Sequence, residues 1–88
     1  MGNRKLEIEI ISAKGLKDVR HLGNMHTYGV IWFDQREKHS THLDMLGGEN
    51  PVWNDIFELS IPEDLFHDKK ACLTIEIYSR SLLHNKLV

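Results

Sequence analysis

A single cysteine, Cys72, stands among the 88 residues, so no disulfide can form within the chain, and a reducing compartment is the expected setting. No apolar run approaches the length needed to cross a membrane. Residues 1–7 lack the apolar core of a secretion signal. The Met1-Gly2 start is followed by Leu6 where a myristoylation pattern wants Ser or Thr. No excess of one charge sign exists either. Eleven Lys and Arg against thirteen Asp and Glu leave a net charge of −2, so bulk attraction to nucleic acid is not expected. Internal repeats, linkers and low-complexity tracts are also missing. So are the short motifs of serine hydrolases, zinc peptidases and phosphate-binding loops. Cys72 has no evident base beside it, and no enzymatic activity is expected.

What is present suits one folded domain. The chain is 41% hydrophobic and 27% charged, too apolar for a disordered tail. A chain of this length buries only about 60–65% of its unfolded surface, so its stability is expected to be modest. The stretch Gly47-Gly48-Glu49-Asn50-Pro51-Val52-Trp53-Asn54-Asp55-Ile56-Phe57 organises the rest. The glycines permit positive φ, and Pro51 pushes Asn50 out of the helical region, which makes a tight turn. A strand follows, over residues 52–61, with Trp53, Asp55, Phe57, Leu59 and Ile61 on one face. Leu6-Glu7-Ile8-Glu9-Ile10 alternates as a half-buried strand, within a segment running to Leu16. Residues 27–33 are β-branched and aromatic on both faces, as a central strand is. Residues 38–43 read as a polar edge strand. Residues 62–67 favour a short helical turn, since Pro62 opens it and Glu63 and Asp64 follow. Residues 71–78 alternate again, with Leu73, Ile75 and Ile77 inward. Leu87-Val88 reads as a strand beginning where the sequence stops. Five short strands without a long helical period imply an all-β antiparallel sandwich over residues 1–88.

Four segments together resemble the C2 domain, the calcium-dependent lipid-binding sandwich, and most closely the small C2 proteins of plants. They are residues 6–16 ending in Ser12-Ala13-Lys14-Gly15-Leu16, the pieces Lys17-Asp18-Val19 and Gly23-Asn24-Met25, then Tyr28-Gly29-Val30, and residues 48–57 followed by 73–78. The element Asn50-Pro51-Val52-Trp53-Asn54 is the most specific. The resemblance implies a Greek-key fold of eight strands, of which about five are present and the last three are missing. It implies that the first and fourth strands form a two-stranded remnant of a larger sheet. Unpaired edges would then invite association, either as a homodimer or with a chain that donates strands.

The resemblance also bears on function. In the family, calcium is held by aspartates of the first and third apical loops. The matching positions here hold Arg20, His26, Ser79 and Ser81, with Asp18 beside the site rather than in it. Calcium needs several carboxylate oxygens, so no calcium cofactor is expected. His21, His26 and His84 fall on the apical loops and offer imidazoles to zinc or copper, a weak signal from spacing alone. The family's basic third strand, used for phosphoinositides or protein partners, corresponds to Arg36, Lys38, His39 and His42. Tyr28, Val30 and Trp32 are expected outward beside it. The expected function is a non-catalytic, calcium-independent module that is cytoplasmic or peripheral at membranes. It would bind a protein partner through that surface. Two alternatives stand beside it. One is an anionic phospholipid binder using the basic strand and apical Leu22, Met25, Leu82 and Leu83. The other is a truncated remnant that binds nothing.

Overall fold

A computed structural model describes residues 3–19, 25–81 and 85–88. Its elements in chain order are β1 (Asn3–Ser12), β2 (Thr27–Trp32), β3 (His39–Ser40), β4 (Val52–Pro62), the single-turn helix α1 (Glu63–Phe66), β5 (Thr74–Ser79) and β6 (Lys86–Leu87). They form a two-stranded sheet, β1-β4, and a four-stranded sheet, β3-β2-β5-β6. All pairings are antiparallel. This is the all-β sandwich expected, with β1 and β4 forming a two-stranded sheet as the resemblance implied.

The period-two pattern decides which residues face each other. In the small sheet Leu6 sits opposite Leu59, Ile8 opposite Phe57 and Ile10 opposite Asp55. The β4 side chains Trp53, Leu59 and Ile61 are buried, and meet Ile31 of β2 and the loop residue Met25 in the core. Each such side chain contributes about 1.5–3 kcal/mol by leaving water. Coverage is uneven. Leu6 is 37% exposed, Leu73 37% and Ile75 49%, although all three have the spacing of inward residues. The small sheet is two strands wide against four, so part of the larger sheet's inner face lies open. The molecule is long for its mass, with extents of 50 × 22 × 20 Å and a radius of gyration of 14.8 Å.

Four boundaries differ from those expected. β1 stops at Ser12 instead of continuing to Leu16, after a register shift between Ile10 and Ser12. Beyond it the backbone turns to the second apical loop: the Ala13 and Leu16 amides donate to the carbonyls of Pro51 and Glu49. The third strand holds two residues rather than six. Beside it, Thr41 replaces ladder bonding: its amide donates to the Gly29 carbonyl at 2.8 Å, while its hydroxyl accepts the Gly29 amide at 2.8 Å. β5 begins at Thr74 because the Ala71 amide closes a turn onto the Asp68 carbonyl. The strand expected to begin at Leu87-Val88 is present one residue earlier as β6, where Leu87 and Lys86 pair with Tyr78 and Ser79.

Candidate functional site

Three loops share one end of the sandwich. Ser12 lies opposite Val52, Thr27 opposite Ser79, and Thr27 also bridges to Asp44, so the ends of β1, β4, β2 and β5 coincide there. Backbone bonds tie the loops together: Arg80 donates to the His26 carbonyl at 2.8 Å and Ala13 to that of Pro51 at 3.1 Å. The indole of Trp53 donates to the Thr27 carbonyl at 3.1 Å, locking the two sheets together beneath the apex.

Asp44 sets the shape of the second apical loop. Its backbone exchanges two hydrogen bonds with Thr27. Its Oδ1 accepts the Gly47 amide at 2.8 Å and its Oδ2 the Val52 amide at 3.1 Å. Burial pushes this carboxyl up, and the amides of Gly47, Val52 and Leu46 more than reverse that, leaving it below its ordinary value. Gly47 is required by close approach, since a Cβ there would lie 2.5 Å from the Asn50 carbonyl oxygen. The fixed loop presents two apolar side chains outward: Leu46 is 98% exposed and Met45 58%. Exposed Ile11 and Val52 flank the end of β1 and β4, and exposed Lys14 and Lys17 lie in the adjoining loop. The sequence signal for this tip is the pair of apolar residues immediately before paired glycines, which is unusual in a turn.

The positions aligned with calcium ligands differ in exposure, although the Arg80 amide bonds the His26 carbonyl and Thr27 pairs with Ser79, which brings His26 and Ser79 close. Asp18 is exposed, His26 half-buried and Ser81 exposed. Ser79 is only 4% exposed, since it shares the inward face with Thr27. Arg20 lies outside the described residues, as do His21, Leu22, Leu82, Leu83 and His84. Among the described residues no three His, Cys, Asp or Glu cluster as a metal site. Of the apolar apical residues expected at the surface, Met25 is 1% exposed and belongs to the core, so it has no contact to offer.

The basic third-strand region is assembled as local pairs. The Arg36 guanidinium lies 2.7 Å from Asp34 and its hydrogen bonds hold that carboxyl down to about 2. Lys38 Nζ sits 4.1 Å over the Trp32 ring. Trp32, expected at the surface, is instead 8% exposed and among the buried apolar side chains, with Lys38 against its ring. His39 stands 3.4 Å from Glu37 and packs against Phe57. His42 contacts Asp55 twice, by its amide at 2.7 Å and Nδ1 at 2.8 Å, which joins the third-strand segment to β4. Tyr28 stacks on Tyr78 at 5.6 Å and its hydroxyl accepts from Asn85 Nδ2.

The sequence model of the C2 domain matches residues 4–88. BON1-associated protein 2 of Arabidopsis thaliana is 37% identical over 78 residues, covering 89% of this chain and 36% of that protein. Protein SRC2 of Glycine max is 30% identical over 92 residues, covering 100% of this chain and 32% of that protein. A solved structure described as a C2 domain-containing protein superimposes with a TM-score of 0.65 at 25% identity, covering 90% of this chain and 54% of the other. The chain thus spans about a third of the length of these two curated relatives and about half of the solved one.

Proposed function

The chain belongs to the C2 domain family, and from that premise we propose that it is a non-catalytic interaction module that docks on anionic membrane surfaces through its apex, without calcium. The observation that carries this reading is the Met45-Leu46 tip, apolar and exposed on a loop that Asp44 holds rigid. A rigid loop loses little entropy when its side chains enter the interface, so most of their transfer free energy is retained. Lys14 and Lys17 would each add about 1 kcal/mol near anionic headgroups, opposed by exposed Glu49. Calcium independence is supported by the chemistry of the apex. Among the described residues no cluster of carboxylates faces the apex, and Asp44, whose two oxygens accept the Gly47 and Val52 amides, is a single carboxylate where calcium needs several. The basic region around Arg36, Lys38, His39 and His42 is a weaker lipid site than its sequence suggests. These four side chains are already engaged with Asp34, Glu37, Asp55 and the Trp32 ring.

A second reading, protein binding through the outer face of β2 and β5, is favoured by the stacked Tyr28 and Tyr78 beside Leu87, which is 55% exposed. One relative's name, a BON1-associated protein, describes a protein contact made by that relative. Co-sedimentation with phosphatidylserine-containing vesicles separates the readings. Binding should be equal in calcium and in chelator. It should fall about tenfold in the double variant Met45→Ser, Leu46→Ser, which removes exposed side chains, with the melting temperature unchanged. Failure of the intact chain to bind these vesicles sinks the membrane reading.

A further inference from the structure

The chain has three methionines and one cysteine. Met1 lies outside the described residues. Met25 is 1% exposed, inside the core, and Met45 is 58% exposed at the tip of the second apical loop. A thioether is oxidised where an oxidant can reach it. The fold therefore shields one described methionine and offers the other. The one offered stands beside Leu46, in the apolar pair that carries the docking reading.

We propose that Met45 is a reversible oxidation site, and that its oxidation releases the apex from anionic membranes. This regulation rests on the docking reading. The oxidant is a peroxide. The sulfur lone pair attacks one peroxide oxygen, the O–O bond breaks and an S–O bond forms. With hydrogen peroxide the other oxygen leaves as water. The sulfur gives up two electrons and the peroxide takes them. In the return step a dithiol becomes a disulfide, and the sulfoxide oxygen leaves as water. Oxidation puts a polar hydrogen-bond acceptor where an apolar side chain stood. The loop has few donors to spare for it. Asp44 accepts the amides of Leu46, Gly47 and Val52, and the Gly47 carbonyl accepts that of Asn50 at 2.9 Å. The sulfoxide oxygen is then bound to water, and entering the headgroup boundary strips that water away. The same bonds hold the loop through its backbone and Asp44, so oxidation of the exposed Met45 leaves the fold intact.

The test uses the full chain carrying Cys72→Ser, because the Cys72 thiol is also exposed. Hydrogen peroxide is titrated in, and peptide mass spectrometry follows Met25 and Met45 separately. Met45 should convert while Met25 stays reduced, with the melting temperature unchanged. Affinity for phosphatidylserine-containing vesicles should then fall about fivefold, and methionine sulfoxide reductase with dithiothreitol should restore it. Met45→Leu keeps an apolar tip without sulfur, so its binding should be the same before and after peroxide. Equal rates of conversion at Met25 and Met45 overturn the proposal. So does vesicle binding unchanged once Met45 is oxidised, or a loss of equal size in Met45→Leu. Those three outcomes leave the docking reading standing, whereas failure of the unoxidised chain to bind sinks both.

Discussion

Asp44 illustrates how one buried carboxylate can stand in for secondary structure. With 8% of its surface exposed, it is held ionised by backbone amides that would otherwise be unpaired inside the loop. Its folded-state pKa lies below its ordinary value, despite burial, because of the Gly47, Val52 and Leu46 amides. The sign of the linkage follows. The unfolded carboxyl titrates near about 3.9, so the charge adds stability above that pH and withdraws it as pH falls through the lower folded-state value. Asp44→Asn keeps the shape but turns an NH2 toward one of the donors. It should cost about 1–3 kcal/mol at pH 7, and the gap to the unaltered chain should narrow near pH 3. Urea denaturation at the two pH values measures both. Equal stability at pH 7 would mean that the loop holds its shape without this carboxylate.

The apical loops are elements without regular structure, and a calcium titration tests them directly. A site of micromolar affinity would stabilise the fold by about 4 kcal/mol in millimolar calcium. The expected outcome is no rise in melting temperature, and a rise reversed by chelation would show that the loops do assemble a site. The strands, by contrast, were legible in the sequence because their signal is local. The alternation of Leu6, Ile8 and Ile10, and of Trp53, Phe57, Leu59 and Ile61, needs no knowledge of the fold. Pro62 with Glu63 and Asp64 likewise announced α1. What was hidden depends on partners distant in sequence. Met25 sits in a polar loop and gives no sign that the core receives it. Trp32 has the parity of an outward residue, and only the geometry of Lys38 shows it covered. The third strand shortens because a threonine hydroxyl substitutes for a ladder partner. The basic cluster looks free in sequence since pairs such as His42 with Asp55 span different strands.

At the scale of the whole molecule, burial is concentrated in β2 and β4. Ile31 is 1% exposed, Leu59 2% and Ile61 1%, while the inward side chains of β1 and β5 remain half open. Local opening should follow that gradient. Amide exchange is expected to be slowest at Ile31 and from Leu59 to Ile61, and fast in β6. Hydrogen-exchange mass spectrometry checks this, and equal protection in β2, β4 and β6 would count against the gradient. The elongated outline has its own hydrodynamic consequence. A compact chain of 88 residues has a radius of gyration of about 12 Å, against 14.8 Å here. Such a body meets more friction per unit mass than a sphere. It tumbles faster about its 50 Å axis than end over end, so its backbone relaxation rates should vary with the direction of each N–H bond. On a sizing column one 10.3 kDa copy should elute ahead of a sphere of equal mass.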